Sequence, residues 1–315
     1  MIAVIDRSAL RRHAPQIGMI GAFVVMVAGF STLSPVFFTF GNFINIANQT
    51  AIISVLAFGM TLVMLCGGID LSVGSLVSLS AVVCALLLGA GTPTPIAMAA
   101  AIAVGVAFGA MSGFVAVRWG IQTFLVTLGA LSIARGLSLV LSDGRTIYIE
   151  SERFLALTAQ GSVGPIPMLL VWTLVFFALT WILLNLTTFG RKLRATGGNA
   201  DAARQVGIRT GWVTVRVFML SGGLAAFAGL MMAGRLSSGL PSVGVGMELD
   251  AIAAAVLGGT GFKGEGGSLV GTLFGALVMG TVINGLTILG VNPYVQEIAK
   301  GLIIILAVVV VSLRK

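Results

Sequence analysis

Stretches of about 20 apolar residues recur along this chain at short intervals, and they decide its solvent. A helix needs about 20 apolar residues to cross the ~30 Å hydrocarbon core of a bilayer. On that rule about ten segments emerge: 16–38, 46–66, 71–90, 95–117, 122–141, 166–187, 212–234, 248–262, 268–290 and 295–313. The eighth is the weakest. Its apolar run "AIAAAVLGG" is short and enters "TGFKGEGGS", so a re-entrant or broken segment is expected there. Charged residues are 9% of the chain, against about 25% in soluble domains, which agrees with a lipid environment. The expected fold is all-α, a polytopic helical bundle in a single transmembrane domain, 1–315. Glycine is abundant at 43 residues, and repeated small-xxx-small spacings such as "GVAFGAMSG" and "GTLFG" suit close helix packing.

The net charge of +8 does not point to nucleic acid, because the positive charges sit at the ends of the apolar spans. With the N-terminus (1–15) in the cytoplasm, thirteen Lys and Arg fall inside: Arg7, Arg11, Arg12, Arg118, Arg191, Lys192, Arg194, Arg204, Arg209, Arg216, Lys263, Arg314 and Lys315. Only Arg145, Arg153 and Arg235 fall outside, and the bias survives moving Lys263. Both termini are therefore expected in the cytoplasm. The first span follows Arg7, Arg11, Arg12 and His13 without a small-residue cleavage site, so it reads as a retained helix. Cys66 and Cys84 lie within or beside apolar segments and fit neither a disulfide framework nor a metal site.

Charges inside apolar segments are costly, about 2.5–3.5 kcal/mol at a helix centre, and face protein or water when present. Here they are Asp70, Arg135, Glu248, Asp250, Glu297 and Lys300. Glu297 and Lys300, three apart on one helix, can neutralise each other. Arg135 has no local partner and calls for a distant carboxylate, Asp70 among the possibilities. Asp70 stands in "GGIDLSVGS" (67–75), the turn between the second and third spans. There Gly67 and Gly68 end one helix, and Asp70, helped by Ser72, can cap the next. Alternatively Asp70 and Ser75 line a solute path. The stretch 65–83 aligns loosely with 257–278, given a two-residue insertion: both pass through Gly-Gly and a polar turn into "GSLV". Paired glycine-broken segments are a pointer to a substrate path in transporters.

Two hydrophilic connections remain. The outer one, 142–165, mixes acidic and basic residues and is either a solvated loop or a docking surface. The inner one, 188–211, contains a readable short helix. Asn199 is a good N-cap, Asp201 lies in the first turn, Arg204 follows, and Gly207 stops the helix. Gly197 and Gly198 read as a hinge before it. Ala200, Ala202 and Ala203 would let another protein approach closely, while Arg191, Lys192 and Arg194 would equally hold the segment on anionic lipid.

Catalysis has little support, since His13 is the only histidine and no GxxxxGK[ST] phosphate loop occurs. ATP-driven transport would need another chain for hydrolysis.

"GGIDLSVGS" together with "GRKLRATGGNADAARQVGI" resembles the permease subunits of bacterial ribose-type sugar ABC importers, which include those for ribose, xylose, arabinose and galactose. The likeness covers nearly the whole chain in span order and loop placement. It implies import of a pentose or hexose from the periplasm across the bacterial inner membrane. It also implies a second permease subunit, identical or related, a cytoplasmic ATP-binding subunit holding ATP and Mg, and a periplasmic sugar-binding protein. No cofactor is expected in this chain. The resemblance turns 188–211 into a coupling loop that enters a groove on the ATPase, carried by Gly190, Arg191, Gly197, Asn199, Asp201, Ala202, Ala203, Arg204 and Gly207. Asp201-Ala202-Ala203 stands where many ABC importers have Glu-Ala-Ala. Gly67, Gly68, Asp70, Ser72 and Ser75 are then either path or structural turn. Rival readings are an ABC permease for an amino acid and a stand-alone secondary transporter.

Overall fold

The chain folds almost entirely into helices. The structure, a computed structural model, describes residues 21, 23–261, 264 and 266–312. The basic N-terminal cluster, the beginning of the first expected span, Lys263, Arg314 and Lys315 lie outside the described residues.

The helices are α1 (Phe23–Leu33), α2 (Phe40–Leu65), α3 (Val73–Gly89), α4 (Thr94–Trp119) and α5 (Thr123–Ser142). A short α6 (Glu152–Leu155) and a π-helical turn (Ala156–Gln160) follow. Then come α7 (Met168–Leu186), α8 (Thr188–Gly198), α9 (Ala200–Gln205), α10 (Thr210–Leu236), α11 (Met247–Leu257), α12 (Leu269–Ile288) and α13 (Pro293–Ser312). Each of the ten expected segments holds a helix. Six helices among the described residues, α2, α4, α5, α7, α10 and α12, are long and apolar enough to cross a membrane. That is fewer than the ten expected, and the physical reason is clearest at α3 and α11, which are interrupted spans.

The core is built on α2 and α10, whose apolar windows are 83% and 78% buried, whereas those of α5 and α7 are 22% buried and turn most of their surface outward. Glycine makes the closest crossing possible. A Cβ on Gly105 would meet Ala226 Cβ at 2.6 Å, and one on Gly113 would meet Val215 Cα at 2.8 Å. So α4 and α10 touch backbone to backbone, as the small-residue spacing predicts.

The 142–165 connection is folded rather than a free loop. Strand β1 (Ile147–Tyr148) pairs antiparallel with β4 (Ser238–Gly239) just after α10, while β2 (Ser162–Val163) pairs with β3 (Ile166–Pro167). Ile149 N donates to Ser237 O at 2.9 Å, Gln160 Nε2 to Ser237 Oγ at 2.9 Å, and Trp172 Nε1 to Leu157 O at 2.7 Å. Tyr148 and Val163 stay exposed on it.

Candidate functional site

Two spans are broken, and their breaks meet. After α2 the chain does not re-enter a helix at once. Gly67 takes φ 82°, its N–H donates to Met64 O at 2.9 Å and that of Gly68 to Val63 O at 3.0 Å, which closes the helix end. Residues 67–72 then run back into the bundle without helical hydrogen bonds. Backbone groups inside a membrane must find partners in the protein. Two threonines of α5 supply them: Ile69 N donates to Thr123 Oγ1 (3.2 Å), Leu71 N to Thr127 Oγ1 (3.1 Å), and Thr127 Oγ1 to Ile69 O (3.3 Å).

Asp70 completes this arrangement. It is fully buried, and every hydrogen bond it makes is to a serine: Oδ1 accepts from Ser72 N (3.0 Å) and Ser72 Oγ (2.6 Å), and Oδ2 accepts from Ser221 Oγ (2.9 Å) on α10. Two expectations are corrected. Asp70 does not cap the first N–H groups of α3 but closes an Asx-type turn onto Ser72, itself the N-cap residue, whose side chain makes no capping bond. Nor does Asp70 pair with Arg135, whose Nη2 is buried without a hydrogen-bond partner. Ser75 is buried and donates to Ser72 O at 2.8 Å.

Ser221 lies near the middle of α10, so α3 starts near mid-depth and runs toward the β1–β4 pair. The second break mirrors it. Residues 240–246 descend beside α3, and α11 starts at Met247, where a Cβ on Gly74 would meet Gly244 O at 2.5 Å and Glu248 Cδ at 3.2 Å. From there α11 runs inward. Thus the N-termini of α3 and α11 face each other inside the protein, with the Glu248 carboxylate over Gly74. Glu248 is 9% exposed, and its Oε2 accepts no hydrogen bond. The positive ends of the two helix dipoles compensate such a carboxylate.

The 65–83 and 257–278 stretches share real local structure, with a changed register. Gly259 has φ 87°, its N–H donates to Val256 O at 2.9 Å and that of Thr260 to Ala255 O at 3.0 Å, the same helix-closing pattern as at Gly67 and Gly68. By hydrogen bonding Gly67 matches Gly259, one residue off the Gly-Gly pairing read from sequence. "GSLV" also differs: Ser75 lies inside α3, while Ser268 is the N-cap of α12 and accepts from Gly271 N at 3.0 Å. Thr61 and Thr272, both fully buried, join α2 to α12 through a 2.7 Å hydroxyl contact.

The 188–211 connection folds as two helices. Asn199 caps α9 by accepting from Ala202 N at 2.9 Å, Arg204 and Asp201 form an exposed ion pair, and Gly207 takes φ 83°. Arg191, Asn199, Asp201, Ala202, Arg204 and Gly207 are exposed. Three other site residues turn inward. Ala203 is buried, so it cannot offer the small surface expected of it. Gly190 packs on the end of α7, where a Cβ would meet Leu184 C at 2.5 Å.

Gly197 overturns the expected hinge. It lies within α8, and a Cβ there would overlap Leu65 O, 2.8 Å from Leu65 C and 3.1 Å from Cys66 C. A Cβ on Gly264 would in turn sit 2.8 Å from Gly197 O. A single glycine of the inner connection is therefore clamped between the turns that follow α2 and α11. Gly198, by contrast, has open space around it. The Gly197–Gly264 contact carries no sequence signal, since any two of 43 glycines could have met.

The remaining intramembrane charges form one group. Lys300 Nζ bonds Glu297 Oε1 at 2.9 Å, as its spacing predicts, and also reaches Asp250 Oδ2 at 3.4 Å across to α11. No group of three metal-ligating side chains occurs among the described residues, and Cys66 and Cys84 are free thiols.

A family model described as the permease component of branched-chain amino acid transport systems matches residues 42–308. The ribose import permease protein of Escherichia coli (strain K12) is 42% identical over 295 residues, which cover 92% of this chain and 91% of that protein. The D-allose transport system permease protein of the same strain is 38% identical, covering 90% and 87%. Its L-arabinose transport system permease protein is 36% identical, covering 93% and 89%. No solved structure matches the chain significantly.

Proposed function

The chain belongs to this permease family, and from that premise we propose that it is the membrane-spanning subunit of an ATP-driven importer for a monosaccharide. The observation that carries the sugar reading is the similarity, along nine-tenths of the chain, to permeases named for ribose, allose and arabinose. It also weighs against amino-acid transport and against a stand-alone transporter, although the family model carries a branched-chain amino acid description. The chain is a transport subunit. Hydrolysis of ATP, with its Mg, falls to a cytoplasmic partner, a second permease subunit completes the pore, and a periplasmic binding protein delivers the sugar.

The coupling role of the α8–α9 segment is supported by its shape. The exposed Arg191, Asn199, Asp201, Ala202, Arg204 and Gly207 offer a surface to an ATPase, and the inward Gly190 and Gly197 tie that surface to the bundle. A displacement of α9 reaches the turns after α2 and α11 through Gly197 without an intervening flexible side chain. Each of those turns belongs to a broken span, so the movement is delivered where helices can rock against each other. The serine bonds of Asp70 and the threonine bonds to the backbone of Ile69 and Leu71 favour structural service for Gly67, Gly68, Asp70, Ser72 and Ser75 over direct sugar contact. The clustering of Arg and Lys near 188–216 supports a cytoplasmic placement for that face, with both termini on the same side of the inner membrane. The folded outer connection, with Tyr148 and Val163 exposed, suits docking of the binding protein.

The test is reconstitution with an ATP-binding subunit and a periplasmic sugar-binding protein from the same organism. ATP hydrolysis and uptake stimulated by a pentose or hexose are expected. Stimulation by a branched-chain amino acid instead, or uptake without any ATPase, refutes the reading.

A further inference from the structure

One face of α10 carries a basic pocket and, further along the same helix, an apolar trough. The pocket, about 400 Å³, is lined by Lys192 of α8, by Arg209 and Arg216, and by Phe189, Trp212 and Val213. No carboxylate lines it, and none of its three cations forms an ion pair among the described residues. Arg209, Trp212 and Arg216 are all exposed. At helical spacing this face continues through Leu220 and Gly223 to Phe227.

Those residues enter a second cavity of about 420 Å³ between α4, α7 and α10, walled by Ile102, Val106, Phe176, Leu179 and Leu183. It is apolar almost throughout. Its outer end closes on an aromatic cluster, where the ring of Phe227 lies 4.6 Å from that of Phe176 and 4.7 Å from that of Trp172. From Arg216 to Phe227 the helix rises about 16 Å, close to half the ~30 Å hydrocarbon core.

We propose that this face of α10 binds one anionic phospholipid, its phosphate between Lys192, Arg209 and Arg216 and an acyl chain in the α4–α7–α10 trough. A phosphate at a cluster of cations next to an interfacial tryptophan is the headgroup chemistry of an anionic lipid. The trough matches one leaflet's chain in depth and polarity. A soluble protein docking from the cytoplasm meets the pocket but cannot reach Phe227, and a free phosphate has no use for the trough. Assignment to the cytoplasmic leaflet rests on the orientation proposed above, whereas the site itself does not.

The test uses the full-length chain in detergent, with lipid retention read by native mass spectrometry and thermal stability followed in parallel. The probes are dioleoyl phosphatidylglycerol, dioleoyl phosphatidylcholine and inorganic phosphate. One phosphatidylglycerol per chain should be retained, with stabilisation that phosphatidylcholine and phosphate do not reproduce. Each cation removed should weaken binding about fivefold, so Arg209→Gln/Arg216→Gln should lose about 25-fold. Gly223→Leu fills the trough, where the nearest neighbour to a new Cβ is Val106 at 3.1 Å. It should weaken the lipid while leaving the cations in place. Equal retention of both lipids overturns the site as mere annular contact, and equal effect of inorganic phosphate reduces it to an anion pocket. Unchanged lipid binding in these variants, with loss of the ATP-binding subunit or of self-association, assigns the face to a protein partner instead. Failure of sugar transport in reconstitution would leave the lipid result standing, so the two proposals fail separately.

Discussion

Replacing Gly197 with alanine separates clamp from hinge at the place where the inner connection meets the bundle. The added Cβ would overlap the Leu65 carbonyl and stand 2.8 Å from its carbon. Ordinary carbon contacts lie at about 3.5–4.0 Å, so the backbones must part by about 1 Å. Overpacking of this kind costs about 1–3 kcal/mol. Against it stands the better helix propensity of alanine, worth up to about 1 kcal/mol. Gly198 receives the same propensity gain with no neighbour within 4 Å, so Gly198→Ala is the internal control. The clash wins: Gly197→Ala should unfold about 1–3 kcal/mol below Gly198→Ala in thermal or denaturant melts of the purified chain. If α8 escapes the clash by lifting away from Leu65, stability recovers but coupling is lost. Reconstituted transporter would then hydrolyse ATP with little uptake, while Gly198→Ala transports normally. Equal melting and equal uptake in the two variants would refute the clamp and restore the hinge.

Other substitutions probe the broken spans. Asp70→Asn removes an acceptor from a ring of three donors and should cost about 1.5–3 kcal/mol, seen as reduced yield and melting temperature. A stable variant that merely stops transporting would instead put Asp70 on the solute path. Gly74→Ala crowds Glu248 and Gly244 O and should destabilise by about 1–3 kcal/mol. Pairing it with Glu248→Ala should recover only part of this, because the backbone clash at 2.5 Å remains; full recovery would contradict the packing described. Lys300→Met leaves the buried Asp250 without its cation and should cost about 3–5 kcal/mol, largely restored by adding Asp250→Asn. An undisturbed melt for Lys300→Met alone would show that the ion pair across α11 and α13 does not form.

Much of this protein was legible in its sequence, because lipid makes the rules strict. A backbone in hydrocarbon must satisfy itself, so apolar length alone placed a helix in each expected segment, though only six are long and apolar enough to span, and composition excluded a soluble fold. Local signals were equally direct at Asn199 and Gly207, where capping depends on residues within one turn. The Glu297–Lys300 pair followed from spacing, and the family from two motifs. What sequence could not supply were the meetings of distant parts. Which glycine is clamped, Gly197 rather than Gly198, depends on a carbonyl more than a hundred residues away. Asp70 looked like a cap or a path residue because its partner Ser221, and the Thr123 and Thr127 that hold the adjoining backbone, come near only after α5 and α10 pack. The mid-depth meeting of α3 with α11 arises the same way, since two helix starts in separate halves of the chain share one place only when the bundle closes. Local propensity is written along the chain; the pairing of unsatisfied polar groups across it is decided by packing.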